Sequence, residues 1–62
     1  MNTVSIYNQN ILVNTFTFAT EAQAVDCMLR HASEKNLEVN DNYTEAFSEG
    51  NKPEILIIVN KA

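Results

Sequence analysis

Residues 1–20 read MNTVSIYNQN ILVNTFTFAT, and none of those side chains is charged. All eight acidic and four basic residues of the 62-residue chain lie from Glu21 onward. In residues 3–7 polar and apolar side chains alternate, with Val4 and Ile6 on one side and Ser5 and Tyr7 on the other. Asn8, Gln9 and Asn10 interrupt the pattern with side chains that tolerate turn geometry. Residues 11–18 then resume with the β-branched and aromatic residues that strands favour. Strict alternation groups Leu12, Phe16 and Phe18 on one face, and Ile11, Val13, Thr15 and Thr17 on the other. The stretch is therefore expected to form a β-hairpin. Exposed sheet edges are normally guarded by charge, above all by Lys, and this hairpin has none, so it is expected to be paired, covered or receptive to a partner.

Immediately downstream, Thr20-Glu21-Ala22-Gln23 fits a capping box, in which the hydroxyl and the amide each satisfy an orphan backbone N–H. Glu21 suits the positive end of a helix dipole. Ala22, Val25, Met28, Leu29 and Ala32 recur at helical spacing as an apolar stripe, opposite Gln23, Asp26, Cys27, Arg30 and Glu34. Asn36 suits the left-handed position past a helix end. The expected helix is Glu21–Lys35.

Residues 38–52 admit two readings. Asn42 and Thr44 could cap a short helix that ends at Gly50, or residues 43–48 could form a strand that turns at 49–53 into the last strand. Gly and Asn just before Pro53 favour the strand. The final run, 55–59, is apolar at every position, as expected of an interior strand beside the first one, covered on both faces. Pro53 is acceptable where a strand begins.

The expected fold is one α+β domain over residues 1–62, in the order ββα(β)β. It is a small antiparallel sheet of three or four strands with one helix packed on one face. Val4, Ile6, Leu12, Phe16, Phe18, Val25, Met28, Leu29 and one side of the last strand would form the core. A chain of this length has a marginal core and usually needs a supplement. With Cys27 as the single cysteine, no intrachain disulfide can form. Cys27 and His31 together fall short of a zinc set, so neither a metal nor another cofactor is expected. Self-association or partner binding is the remaining route.

A formal net charge of −4 disfavours nucleic acid and anionic membranes as direct partners. Residues 1–3 lack the basic and apolar pattern of a secretory signal. The 55–59 run is too short to span a bilayer. A cytoplasmic location is expected.

Cys27 and His31 lie one helical turn apart, the spacing of a Cys–His couple. No Gly-rich oxyanion loop accompanies them, and Gly50 is the only Gly, which excludes a phosphate-cradling loop. An enzyme is not expected. Glu34, Glu38, Asp41, Glu45, Glu49 and Glu54 form a sparse acidic series, either a solubilising surface or the counterpart of a basic partner.

The expected function is that of a small acidic, non-enzymatic protein-binding module. The size, the acidic balance, the Asn-rich composition and the unguarded hairpin suit a phage-type inhibitor or modulator of a host protein, such as a defence or nucleic-acid-handling system. A self-assembling homodimer with no separate target is the alternative. Tyr7, Ile11 and Val13 on an open sheet face, with Glu45, Phe47 and Glu49 in an acidic loop, are the expected protein-binding residues.

Overall fold

The computed structural model describes residues 1–50 and 54–61. Strand β1 (Asn2–Asn8) and strand β2 (Ile11–Phe18) form the expected hairpin. Gln9 and Asn10, at φ 51 and 68, occupy the two-residue loop. Positive φ at both central positions matches the twist of the flanking strands, and Asn is among the residues that tolerate it best. Helix α1 (Glu21–Lys35) carries the full capping box at Thr20 and Gln23, and Asn36 ends it at φ 56. Strands β3 (Glu38–Val39), β4 (Glu45–Phe47) and β5 (Ile55–Asn60) complete a five-stranded sheet, ordered β2-β1-β5-β4-β3. Every pairing is antiparallel.

The fold is thus α+β with one helix against one sheet, but with five strands instead of three or four. The added strand, β3, has two residues and no apolar run, so periodicity could not announce it. Of the two readings of residues 38–52 the strand holds, as β4 paired with β5. The turn expected at 49–53 falls partly on Asn51, Lys52 and Pro53, which lie outside the described residues. Strand β5 sits in the middle of the sheet beside β1, as its uninterrupted apolar run implies.

Asn40 organises the β3–β4 connection. Its Oδ1 accepts the amides of Thr44 and Glu45, each at 2.9 Å, and its Nδ2 donates to Thr44 Oγ1 at 2.7 Å. Within this loop Tyr43 sits at φ 54, a conformation in which a large L side chain is strained.

The core lies between α1 and the sheet and consists of Val4, Ile6, Ala24, Met28, Ala32, Ala46, Ile57 and Val59. Met28, Ile57 and Val4 are its largest fully buried side chains. The buried helix residues Ala24, Met28 and Ala32 are four apart, one above another on one side of α1. Two of them are alanines, which let the helix approach the sheet closely, above buried Ala46.

The seam on which α1 rests is rotated from the expected stripe. Leu29 and Ala22 are exposed, Val25 is only half-buried, and Cys27, expected on the polar side, packs against the core. Both stripes contain Met28 and Ala32. The sheet is broad, so the flank of α1 bearing Cys27 and His31 faces Phe16 and Phe18 on the outer strand.

Leu12 also departs from the expected core. The β1–β2 register runs evenly from Asn2↔Phe18 to Ile6↔Asn14, then shifts so that Tyr7 pairs with Leu12 and Asn8 with Ile11. One extra residue, Val13, is accommodated as a β-bulge. Because side chains alternate with a period of two, an inserted residue exchanges the faces of everything beyond it. Leu12 leaves the face of Phe16 and joins that of Tyr7, while Ile11 moves the other way.

Candidate functional site

Register determines what the uncovered side of the sheet displays. Val4, Ile6, Ile57, Val59 and Ala46 lie beneath α1, so their strand neighbours point away from it. One lane of directly opposed residues crosses all five strands: Leu12, Tyr7, Leu56, Phe47 and Glu38. The adjacent lane is Thr15, Ser5, Ile58 and Glu45, and beyond it lie Thr17, Thr3 and Asn60. The face therefore grades from apolar through mixed to polar along the strands. Tyr7, Leu56, Phe47 and Ile58 are half-buried against one another, whereas Leu12 and Val13 are 52% and 58% exposed.

Among the described residues, charge on this face has one sign. Glu38 opposes Phe47 and Glu45 opposes Ile58, both at the β3–β4 side. The described cationic side chains lie elsewhere. Arg30 pairs with Asp26 along α1 at 3.0 Å, Lys35 ends the helix, and Lys61 binds Glu21 at 3.4 Å and the Asn42 carbonyl at 3.1 Å. At the β2 side the face is neutral. An apolar centre is thus bordered by carboxylates on one flank and by hydroxyls and an amide on another.

Of the six residues expected to bind protein, four meet here. Tyr7, Phe47 and Glu45 lie on the open face, and Val13 lies in the bulge at its edge. Glu45 and Phe47 belong to β4 and not to an acidic loop, which corrects their expected setting and places them next to Tyr7's lane. Ile11, 66% exposed, is turned to the other face by the bulge, and Glu49 lies beyond the end of β4. Sequence reasoning missed Leu12 and Glu38 and left open which half of 55–59 faced outward. Leu56 and Ile58 do. The alternation of β5 held no preference between its two sides, since both are apolar.

On the helix side, an open groove of about 400 Å3 runs between β2 and α1, lined chiefly by Phe16, Phe18, Cys27, Asp26, Arg30 and His31. The rings of Phe16 and His31 lie 5.9 Å apart, tilted by 47°. His31 Nδ1 donates to the Cys27 carbonyl at 3.0 Å. A nitrogen holding that proton has no lone pair for the Cys27 thiol, 4.0 Å away. Burial, with a contribution from Asp26, pushes the Cys27 thiol up from its ordinary value. This pair is arranged opposite to an activated nucleophile, which needs an accepting imidazole and a lowered thiol pKa. Among the described residues, no three His, Cys, Asp or Glu side chains cluster to hold a metal ion. No helix among them is long and apolar enough to cross a membrane.

Comparison with protein-family models, with curated proteins and with solved structures finds no match to this chain.

Proposed function

We propose that this protein is a non-enzymatic binding module that docks on another protein through the open face of its sheet and so modulates that partner. One observation carries the reading: the central strand is apolar on both sides, yet α1 covers only one of them. Ile57 and Val59 are buried beneath the helix, while Leu56 and Ile58 stand on the other side among Tyr7, Phe47 and Leu12. A sheet with two apolar faces ordinarily has both covered, and an uncovered patch of this kind marks an interaction site.

The acidic flank supports one kind of occupant. Glu38 and Glu45 beside Phe47 and Ile58 favour a partner with an apolar centre and basic side chains around it. Such complementarity speeds encounter and rejects acidic surfaces. The raised Cys27 thiol and the bond between His31 Nδ1 and the Cys27 carbonyl favour binding over catalysis. The −4 charge disfavours nucleic acid and membranes as direct ligands. The Asn-rich, acidic composition supports, by analogy, a cytoplasmic phage-type inhibitor of a host protein.

Affinity capture with three forms of the chain tests this reading. Wild type and a helix-exterior control, Arg30→Glu with Lys35→Glu, should retain the same partner. Tyr7→Lys with Leu56→Lys, opposed residues on β1 and β5, should lose it while remaining folded by circular dichroism. Equal retention by the face variant would remove the open face from the mechanism.

A further inference from the structure

We infer that the outer edge of β2 pairs with the same edge of a second copy, joining two sheets into one of ten strands about a two-fold axis. The inference goes beyond the docking face and rests on different groups. Among the described residues β2 is a terminal strand, with no strand along its outer side. Val59 N–H donates to the Thr44 carbonyl toward β4, so by alternation Ile58 and Ser5 bond each other, Ser5 turns away from β2, and the opposed Thr15 N–H points off the edge, where Asn14 Oδ1 accepts it at 2.9 Å. Alternation directs Thr17 the same way. The bulge at Leu12 and Val13 ends the flat part of this edge, leaving residues 14–18 for regular pairing.

Those constraints define a register. For both helices to lie on one side of the joined sheet, opposed residues must come from the same face. Centring the axis on Phe16 achieves this: Phe16 meets its mate, Thr15 opposes the partner's Thr17, and Asn14 opposes the partner's Phe18. Each Thr15–Thr17 pair then exchanges two backbone hydrogen bonds, after the Asn14 side chain swings aside. The two grooves merge into one channel between the helices, where Phe16 and Phe18 supply apolar contact that an edge alone lacks and each Asp26 is neutralised by its own Arg30.

Charge identifies the second copy as the occupant. Each molecule carries a net charge of −4, so association must avoid apposed carboxylates. Residues 1–20 are the one long stretch with no charged side chain, and β2 is their exposed edge. At the opposite end of the sheet, β3 and β4 bring Glu38 and Glu45. Stable interfaces bury about 800 Å2 per partner, close to a fifth of the 4314 Å2 surface of this molecule. A five-residue edge is short against that area, so the dimer is expected to be concentration-dependent.

Light scattering during size exclusion, across a dilution series from roughly 1 μM to 1 mM, tests the pairing. Wild type should pass from the 7.0 kDa monomer to twice that mass. Thr15→Pro, which deletes the outward donor, should raise the midpoint concentration at least about tenfold, or ~1.4 kcal/mol. Tyr7→Lys with Leu56→Lys should leave the midpoint unchanged. If Thr15→Pro does not fold, amide exchange on wild type decides the matter. Thr15 and Thr17 amides should slow on concentration, and unchanged rates would overturn the pairing. A wild-type monomer throughout, or a dimer broken by the face variant but not by Thr15→Pro, would also overturn it. A monomer that still binds a partner through Tyr7 and Leu56 refutes the edge pairing and leaves the docking face standing.

Discussion

Two neighbouring isoleucines provide the sharpest test of which sheet face is core. Ile57 has no exposed surface and Ile58, the next residue, is half-exposed on the other side of the same strand. Truncating either to Ala removes the same three carbon groups, so propensity and chemistry cancel in the comparison. For Ile57 the transfer loss is about 2.4 kcal/mol at ~0.8 kcal/mol per group, and the residual cavity raises it to roughly 3–4 kcal/mol. Ile58 is partly solvated in the folded state and leaves no closed cavity, so its truncation should cost about 1 kcal/mol. A chain of this size has on the order of 3–9 kcal/mol of stability to lose. Ile57→Ala should thus lower Tm by roughly 20–30 °C, and Ile58→Ala by about 8 °C. Urea and thermal titrations followed by circular dichroism would measure both, at low micromolar protein so that pairing through the β2 edge adds nothing. Equal losses, within about 0.5 kcal/mol, would mean that both faces of β5 are covered and that no docking face exists.

Three further outcomes follow from local geometry. Asn40→Ala removes an acceptor of two amides and a donor to Thr44, and should cost about 2 kcal/mol in urea titration; Asn40→Asp, which keeps both accepted bonds, should cost about half as much. Tyr43 at φ 54 is strained, so Tyr43→Gly should be neutral or stabilising by up to about 1 kcal/mol, whereas a clear loss would show that the Tyr43 ring itself holds the loop. Because burial raises the Cys27 thiol, native Cys27 should alkylate more slowly at neutral pH than the same residue in urea. The sign of the linkage is that of a raised folded-state value: its contribution to stability is complete below the ordinary thiol value of 9.0 and declines as pH rises through the higher folded value. Alkylation as fast in buffer as in urea would contradict the buried, protonated thiol.

Much of the fold could be read from short-range chemistry. The capping box at Thr20 and Gln23, the left-handed Asn36, the turn at Gln9 and Asn10 and the apolar run of β5 depend on residues within a few positions of one another, and each appears where its local pattern places it. Such signals are written in the chain because the groups they satisfy are adjacent in it. The candidate site was less legible. Tyr7, Glu45 and Phe47 could be suspected, but nothing in the sequence shows that they share a face, since three separate strands bring them together.

What the sequence determined by itself was the helix with both its ends, the hairpin, the interior place of β5 and the uncharged edge. What only tertiary structure decided was orientation. The bulge at Val13 exchanged the faces of Leu12 and Ile11, because one inserted residue reverses a period of two. The rotation of α1 set Cys27 against the core and left Leu29 exposed, because the surface a helix buries is chosen by the sheet it packs on. The two-residue β3 is held to β4 through the turn that Asn40 closes. Pairing partners and the choice between two equally apolar sides of β5 are long-range packing decisions, made by whichever surface the single helix covers.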